Sequence, residues 1–219
     1  MNQTDNQHIP ELPASSAIVL PPSLDDQTAQ RVLTDVAAHS HDAPLVMNAR
    51  ACMFATPYAL ATLLAVAEDR LVKATFIPPS NPDTAAYWAR ARFFRYAEEL
   101  YAIRGTVPHV RWASESDVML EMTRIPGDET AGAIVQRVRE RVLDLVLRAA
   151  HIDADAAATH ADAVASACLN VANSDGRNGW VMAQVVHYRK QAGQRGVLIG
   201  IAGPGGTGTA FKIDGPILP

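Results

Sequence analysis

Asn170 stands in the run Ala167-Cys168-Leu169-Asn170-Val171-Ala172-Asn173-Ser174, within an alanine-rich stretch of helical character. A carboxamide on a helix can ligate a divalent cation through its oxygen. It can equally satisfy backbone groups near a helix end, where asparagine is favoured. The run Gly203-Pro204-Gly205-Gly206-Thr207-Gly208 is a second candidate. Successive backbone N–H groups in such a run can cradle phosphate, and glycine clusters also simply punctuate loops. No Gly-Lys-Ser/Thr follows, which excludes a Walker-type loop. Thr56-Pro57 reads as an N-cap followed by proline at the first helical position. A phosphate on Thr56 would meet the positive end of that helix, and an unmodified Thr56 would be an ordinary cap.

Other reactive residue types are less patterned. The seven histidines show no zinc-site spacing. His39 and His41 flank Ser40 at a helix end, where interaction with the helix C-terminus is explanation enough. The two cysteines, Cys52 and Cys168, lie far apart in apolar stretches and read as buried thiols of a reducing compartment. Arg137, Arg139, Glu140, Arg141 and Arg148 crowd one helix, a solvated face or a docking face for an acidic partner. Trp88, Arg90, Arg92, Phe93, Phe94 and Arg95 mix aromatic and basic residues; packing on a sheet accounts for them as well as stacking on RNA would.

The 219 residues are 48% hydrophobic with a net charge of −4. That supports one large domain or two small ones and argues against a nucleic-acid partner. No apolar run reaches the ~18 residues of a membrane span, and the polar N-terminus lacks the order of a signal peptide. A cytoplasmic protein is expected, with residues 1–15 as a disordered tail.

These residues need elements to hold them. Residues 17–20, 44–49 and 71–77 read as strands, the latter two continuously apolar and expected to be covered on both faces. Helices are expected over 24–38, 58–67 and 82–99, opened by Asp25-Asp26, Thr56-Pro57 and Asn81-Pro82. After a linker at 103–116, a strand over 118–124 precedes an amphipathic helix over 130–150 and an alanine-rich helix over 155–171. Strands over 179–189 and 196–202 and a Gly-rich end complete the order. The pattern predicts an α/β unit followed by an α+β unit of two layers, helices on an antiparallel sheet.

The stretches Pro44-Leu45-Val46-Met47-Asn48-Ala49-Arg50, Phe54-Ala55-Thr56-Pro57 and Phe76-Ile77-Pro78-Pro79-Ser80-Asn81-Pro82 resemble sulfate-transporter/anti-sigma-antagonist (STAS)-like domains fused ahead of an ATP-binding module. The Ala167–Ser174 run, Gly179-Trp180-Val181 and the Gly203–Gly208 run resemble the histidine-kinase-like ATPase fold (GHKL). The resemblance implies a STAS-like domain at 16–102, the linker at 103–116 and an incomplete, C-terminally short ATPase domain at 117–219. In that family an asparagine on the long helix helps hold Mg²⁺ and a glutamate four residues earlier is the base. An aspartate before a Gly-x-Gly turn accepts from adenine.

Transferred to this chain, ATP and Mg²⁺ are the candidate cofactors. Asn170, Asn173, Gly203, Gly205, Gly206 and Gly208 would bind them, Asn170 would meet the metal, and Thr56 would be the phosphorylation site. Ser166 stands where the base belongs, and a serine without a neighbouring base removes no proton at neutral pH. Asp162 lies two helical turns from Asn170, too far to substitute. Gly203 or Pro204 occupies the adenine aspartate's place. No catalytic residue is therefore assigned. The expectation is a regulatory, signal-transducing pseudoenzyme that binds a sigma-factor-like or antagonist-like protein, with no nucleic acid, no membrane and a homodimer left open. The alternative is an ATP-binding protein serine kinase or ATPase.

Overall fold

Short strands alternate with capped helices through the first half of the chain: β1 (Ala17–Val19), β2 (Ser23–Leu24), α1 (Asp26–Ala37), β3 (Val46–Asn48), β4 (Phe54–Ala55), α2 (Pro57–Glu68), β5 (Thr75–Ile77), α3 (Pro82–Arg90), α4 (Phe93–Leu100) and β6 (Ala102–Ile103). The structure, a computed structural model, describes residues 17–108, 116–150, 152–187 and 194–215. The expected tail at 1–15 and positions 109–115 of the expected linker lie outside the described residues. Side-chain oxygens of Asp25, Thr56 and Asn81 accept from the N–H three residues on, and Pro57 and Pro82 occupy the first turns of α2 and α3. These local signals fix the helix starts.

β1, β3, β5 and β6 form a parallel sheet in chain order, and β2 pairs with β4 in a small separate one. Each parallel step needs a crossover, supplied by α1, by α2 and by α3–α4. Ile18, Met47 and Phe76 point into the core. On the opposite face Val19 is 64% exposed, and Asn48, Thr75 and Ile77 are half-buried. Val46 on this face is buried, so cover on both faces holds at that position of the second strand and is only partial along the third. The third strand does not begin at Leu71, which is exposed in a turn whose N–H bonds His41 O.

The single helix expected over 82–99 is two helices. Ala91 ends α3, and Arg92 takes the left-handed conformation with φ 60°. The break lets Trp88, Phe93 and Phe94 converge on Phe76 and Tyr101, with ring centroids 5.0–6.2 Å apart. Aromatic packing thus accounts for the mixed run at 88–95.

The second half comprises β7 (Met119–Ile125), α5 (Ala131–Ala150), α6 (Ala154–Asp175), β8 (Gly179–His187), β9 (Arg195–Ala202), a 3-10 turn (Pro204–Gly206) and β10 (Gly208–Asp214). Its sheet is antiparallel in the order β10-β9-β8-β7. The Gly-rich end is therefore a hairpin turn and a seven-residue strand rather than a loose end: β10 pairs with β9 from Gly208↔Ala202 to Asp214↔Gly196. The arginines of α5 are mostly spent at its surface, with Arg139–Asp162 at 2.5 Å and Arg141–Asp144 and Arg148–Asp144 at 2.6 Å.

Alternation along β8 and β9 divides two cores. Val181, Ala183, Val197, Ile199 and Ile201 pack with α5 and α6. Trp180, Met182 and Ala202 join the core of the first half. The antiparallel sheet is thus covered on both faces, where two layers were expected. The cover on the second face is α2, buried from Pro57 through Ala67. It rests on β8 and β9 and meets α1 and α4 on its other sides. A helix apolar all round is a core helix. Among the described residues no strand is shared between the two sheets, yet one core runs from Ile18 through Leu60 to Trp180.

Candidate functional site

α6 starts at Asp153, whose carboxylate accepts from Ala156 N at 2.9 Å, and ends at Gly176 in the left-handed conformation. Val164, Cys168, Val171 and Ala172 face the sheet. Ser166, Asn170, Asn173 and Ser174 are on the exposed side. A groove of about 310 Å³ separates this side from the start of β10, lined by Ala167, Asn170, Val171, Ser174, Thr207, Gly208 and Thr209. Of the residues selected from sequence, the structure brings Asn170 and Gly208 together here. Asn173, Gly203, Gly205 and Gly206 do not line it.

The glycines of the turn have packing reasons. A Cβ on Gly203 would stand 2.5 Å from Val171 Cγ1, and one on Gly208 would stand 3.0 Å from Ala202 Cα. Gly205 and Gly206 have φ of 65° and 75°, which favours glycine. Their N–H groups are not arrayed for phosphate. Gly203 N donates to Thr207 O at 2.6 Å, Thr207 N donates to Pro204 O, and Gly205 N donates to the Asp69 carboxylate.

Among the described residues no charged side chain lines the groove. A magnesium triphosphate would find one amide oxygen and no guanidinium or ammonium, whereas phosphate sites are built from charge-assisted bonds. Among the described residues no cluster of His, Cys, Asp and Glu is arranged to hold a metal ion. These residues do not fit the nucleotide–metal group. Beneath Asn170, burial pushes the Cys168 thiol up to about 12, which leaves it unreactive.

Thr56 is 8% exposed. Its hydroxyl donates to Asp26 Oδ1 at 2.6 Å and accepts from Ala59 N at 3.2 Å. A phosphate would need to displace these partners and sit against a carboxylate. In this structure Thr56 is a buried cap.

Sequence reading missed the polar clamp at the end of α2. Asp69 Oδ1 pairs with Arg177 at 2.7 Å, its other oxygen accepts from Gly205 N, and Glu68 Oε1 accepts from Asn178 Nδ2 at 2.6 Å. His41 Nδ1 bonds Asp69 O at 3.0 Å, and His39 Nδ1 bonds Asp35 O at 2.8 Å, so both histidines serve helix ends. Gly205 and Gly206 border a cavity of about 420 Å³ here, with Leu33, His39, His41 and Arg70. The clamp joins positions 108 to 136 residues apart, and no local pattern announces such pairs.

The class these observations define is a mixed α/β protein with a parallel sheet and helices and a separate antiparallel sheet. Comparison with protein-family models, curated proteins and solved structures gave no match. No helix among the described residues is long and apolar enough to cross a membrane.

Proposed function

We propose that the chain is a regulatory protein-binding module of the partner-switching type, with a STAS-like unit at 16–102, a histidine-kinase-like unit at 117–219, and little or no ATPase activity. The observation that carries this is the groove at Asn170: it stands beside the Gly-rich turn, as the resemblance implies, but its lining among the described residues is uncharged. Ser166 precedes Asn170 by four residues on the exposed side of α6 and supplies no base. A positioned general base typically contributes about 10²–10⁴-fold, so its lack alone leaves hydrolysis slow. The partner expected is a cytoplasmic sigma-factor-like or antagonist-like protein. A second reading, an ATP-binding serine kinase or ATPase, is favoured only by the juxtaposition of Asn170 with Thr207 and Gly208.

Thermal shift with Mg-ATP and Mg-ADP tests the first reading against the second. A nucleotide at about 100 times its Kd adds about 2.7 kcal/mol of apparent stability. No shift at millimolar nucleotide, and no turnover above background, are the expected results. Turnover that disappears in Asn170→Ala would establish the second reading. Co-purification of the full chain from its native cell with a defined regulator, reconstituted afterwards from the two pure proteins, is the expected positive result.

A further inference from the structure

Two runs visible in the sequence, the arginines of α5 and the aromatic–basic residues of 88–95, meet at one groove. It lies between α4, β7 and α5 and measures about 500 Å³, with Arg92, Glu121 and Arg137 in its lining. That volume is usual for a small-molecule site.

Backbone irregularities shape it. β7 slips against β8 between Leu120 and Thr123, so residues 121–122 form a bulge. Bulges occur at sheet edges and beside sites, where they re-aim a side chain. Arg92 holds a left-handed conformation that side chains other than glycine rarely adopt. The two are tied together, because Met122 N donates to Ala91 O at 2.9 Å. Functional sites are where such departures collect.

The bulge buries Glu121, which is 6% exposed. Its Oε1 accepts from Ser116 N at 3.2 Å. Its second oxygen has no hydrogen-bond or ion-pair partner among the described residues and is not one of their enclosed orphan atoms, so it reaches solvent at the groove. A carboxylate held in place by burial, with one oxygen open to a groove, is placed to accept a charge-assisted bond from a ligand donor. Arg137 is exposed on the same groove, also without a partner among the described residues. Arg141, by contrast, is committed to Asp144 and to the carbonyl oxygen of Ser116. Leu120, Ile134 and Val138 supply the apolar wall. A peptide cannot add as a strand along β7, because the Met122–Ala91 bond closes the middle of its free edge. That favours a small ligand.

We infer that this groove binds a small zwitterion, an amino acid with an apolar side chain. Its ammonium bonds Glu121, its carboxylate meets the Arg137 guanidinium, and its side chain lies on Leu120, Ile134 and Val138. Ammonium–carboxylate and guanidinium–carboxylate contacts are the strong, charge-assisted kind. This site is separate from the Asn170 groove and does not depend on the regulatory reading.

Calorimetric titration of the full chain decides the matter. The probes are L-leucine and L-phenylalanine, together with 4-methylpentanoate, which lacks the ammonium, and 3-methylbutylamine, which lacks the carboxylate. Saturable binding of leucine or phenylalanine is expected, at least about tenfold weaker for each deletion analogue and in Glu121→Gln and Arg137→Ala. Arg137→Ala alters an exposed position, so it decides even if Glu121→Gln fails to fold. No saturable binding of either amino acid at about 10 mM overturns the proposal. So does undiminished binding of 4-methylpentanoate, which would make the groove a site for anions alone, or undiminished binding by Arg137→Ala.

Discussion

Replacing Gly200 with alanine probes the seat of α2 on the antiparallel sheet. Gly200 lies on β9 opposite Met182 of β8. A methyl group there would stand 2.5 Å from the carbonyl carbon of Pro57 and closer still to N and Cα of Tyr58. Carbon atoms pack at about 3.5–4.0 Å, so the overlap is on the order of 1 Å. The atoms struck are backbone in the first turn of α2, which the Thr56 cap and Pro57 hold in place. No rotamer change relieves such a clash. Either α2 lifts or β9 bends, and both loosen the core that Leu60 shares with Trp180 and Met182.

Overpacking costs about 1–3 kcal/mol, and a rigid backbone neighbour puts this case near about 3 kcal/mol. For a chain of this length each kcal/mol moves Tm by about 2–4 °C, so a fall of roughly 6–12 °C is expected. Gly132→Ala is the matched control. It makes the same change in α5, where a Cβ meets nothing within 4 Å, and alanine in a helix is better than glycine by about 0.5–1 kcal/mol. Urea unfolding and thermal melts of the parent and both variants should therefore give opposite signs. A Gly200→Ala protein within about 1 kcal/mol of the parent would refute the close approach of α2 and β9.

Asp69→Ala removes the acceptor for Gly205 N–H and the partner of Arg177. With Arg177 half-exposed and its share discounted, a loss of about 1–3 kcal/mol is expected, with faster amide exchange in the 203–207 turn. Unchanged exchange there would count against the clamp. Thr56→Glu places a carboxylate against Asp26 at a buried cap and should cost more than about 2 kcal/mol, whereas Thr56→Ser should stay within about 1 kcal/mol; equal stability of the two in urea would restore room for a phosphate. Burial raises the Cys168 thiol from 9.0 to about 12, so the fold favours the neutral form. That contribution is fully present below pH 9 and is lost as pH rises from 9 towards 12. Iodoacetamide at pH 8–9 should therefore label Cys168 only in urea, and rapid labelling of the native protein would refute its burial.

Much of the architecture was legible from local chemistry. Asp25-Asp26, Thr56-Pro57 and Asn81-Pro82 announced three helix starts, because a cap acts within three residues of itself. The apolar spacing from Ile134 to Val146 announced α5, because one helix face repeats every 3.6 residues. The site was only half legible. Asn170 and Gly208 do meet, but the remaining glycines of the run serve a hairpin turn, and the turn's meaning depends on β10 pairing with β9.

Contacts between distant residues decided the rest. The break at Arg92 accompanies a hydrogen bond from Met122 to Ala91, and nothing in residues 82–99 alone contains it. α2 covers two strands, β8 and β9, formed more than a hundred positions later, which its all-round apolarity permitted but could not specify. Glu121 reads from sequence as an ordinary charged residue in a strand, and only the bulge turns it inward. Caps, periodicities and turns are short-range and can be read in order along the chain. Which buried face meets which, and which polar group is left without a partner, follow from packing in three dimensions.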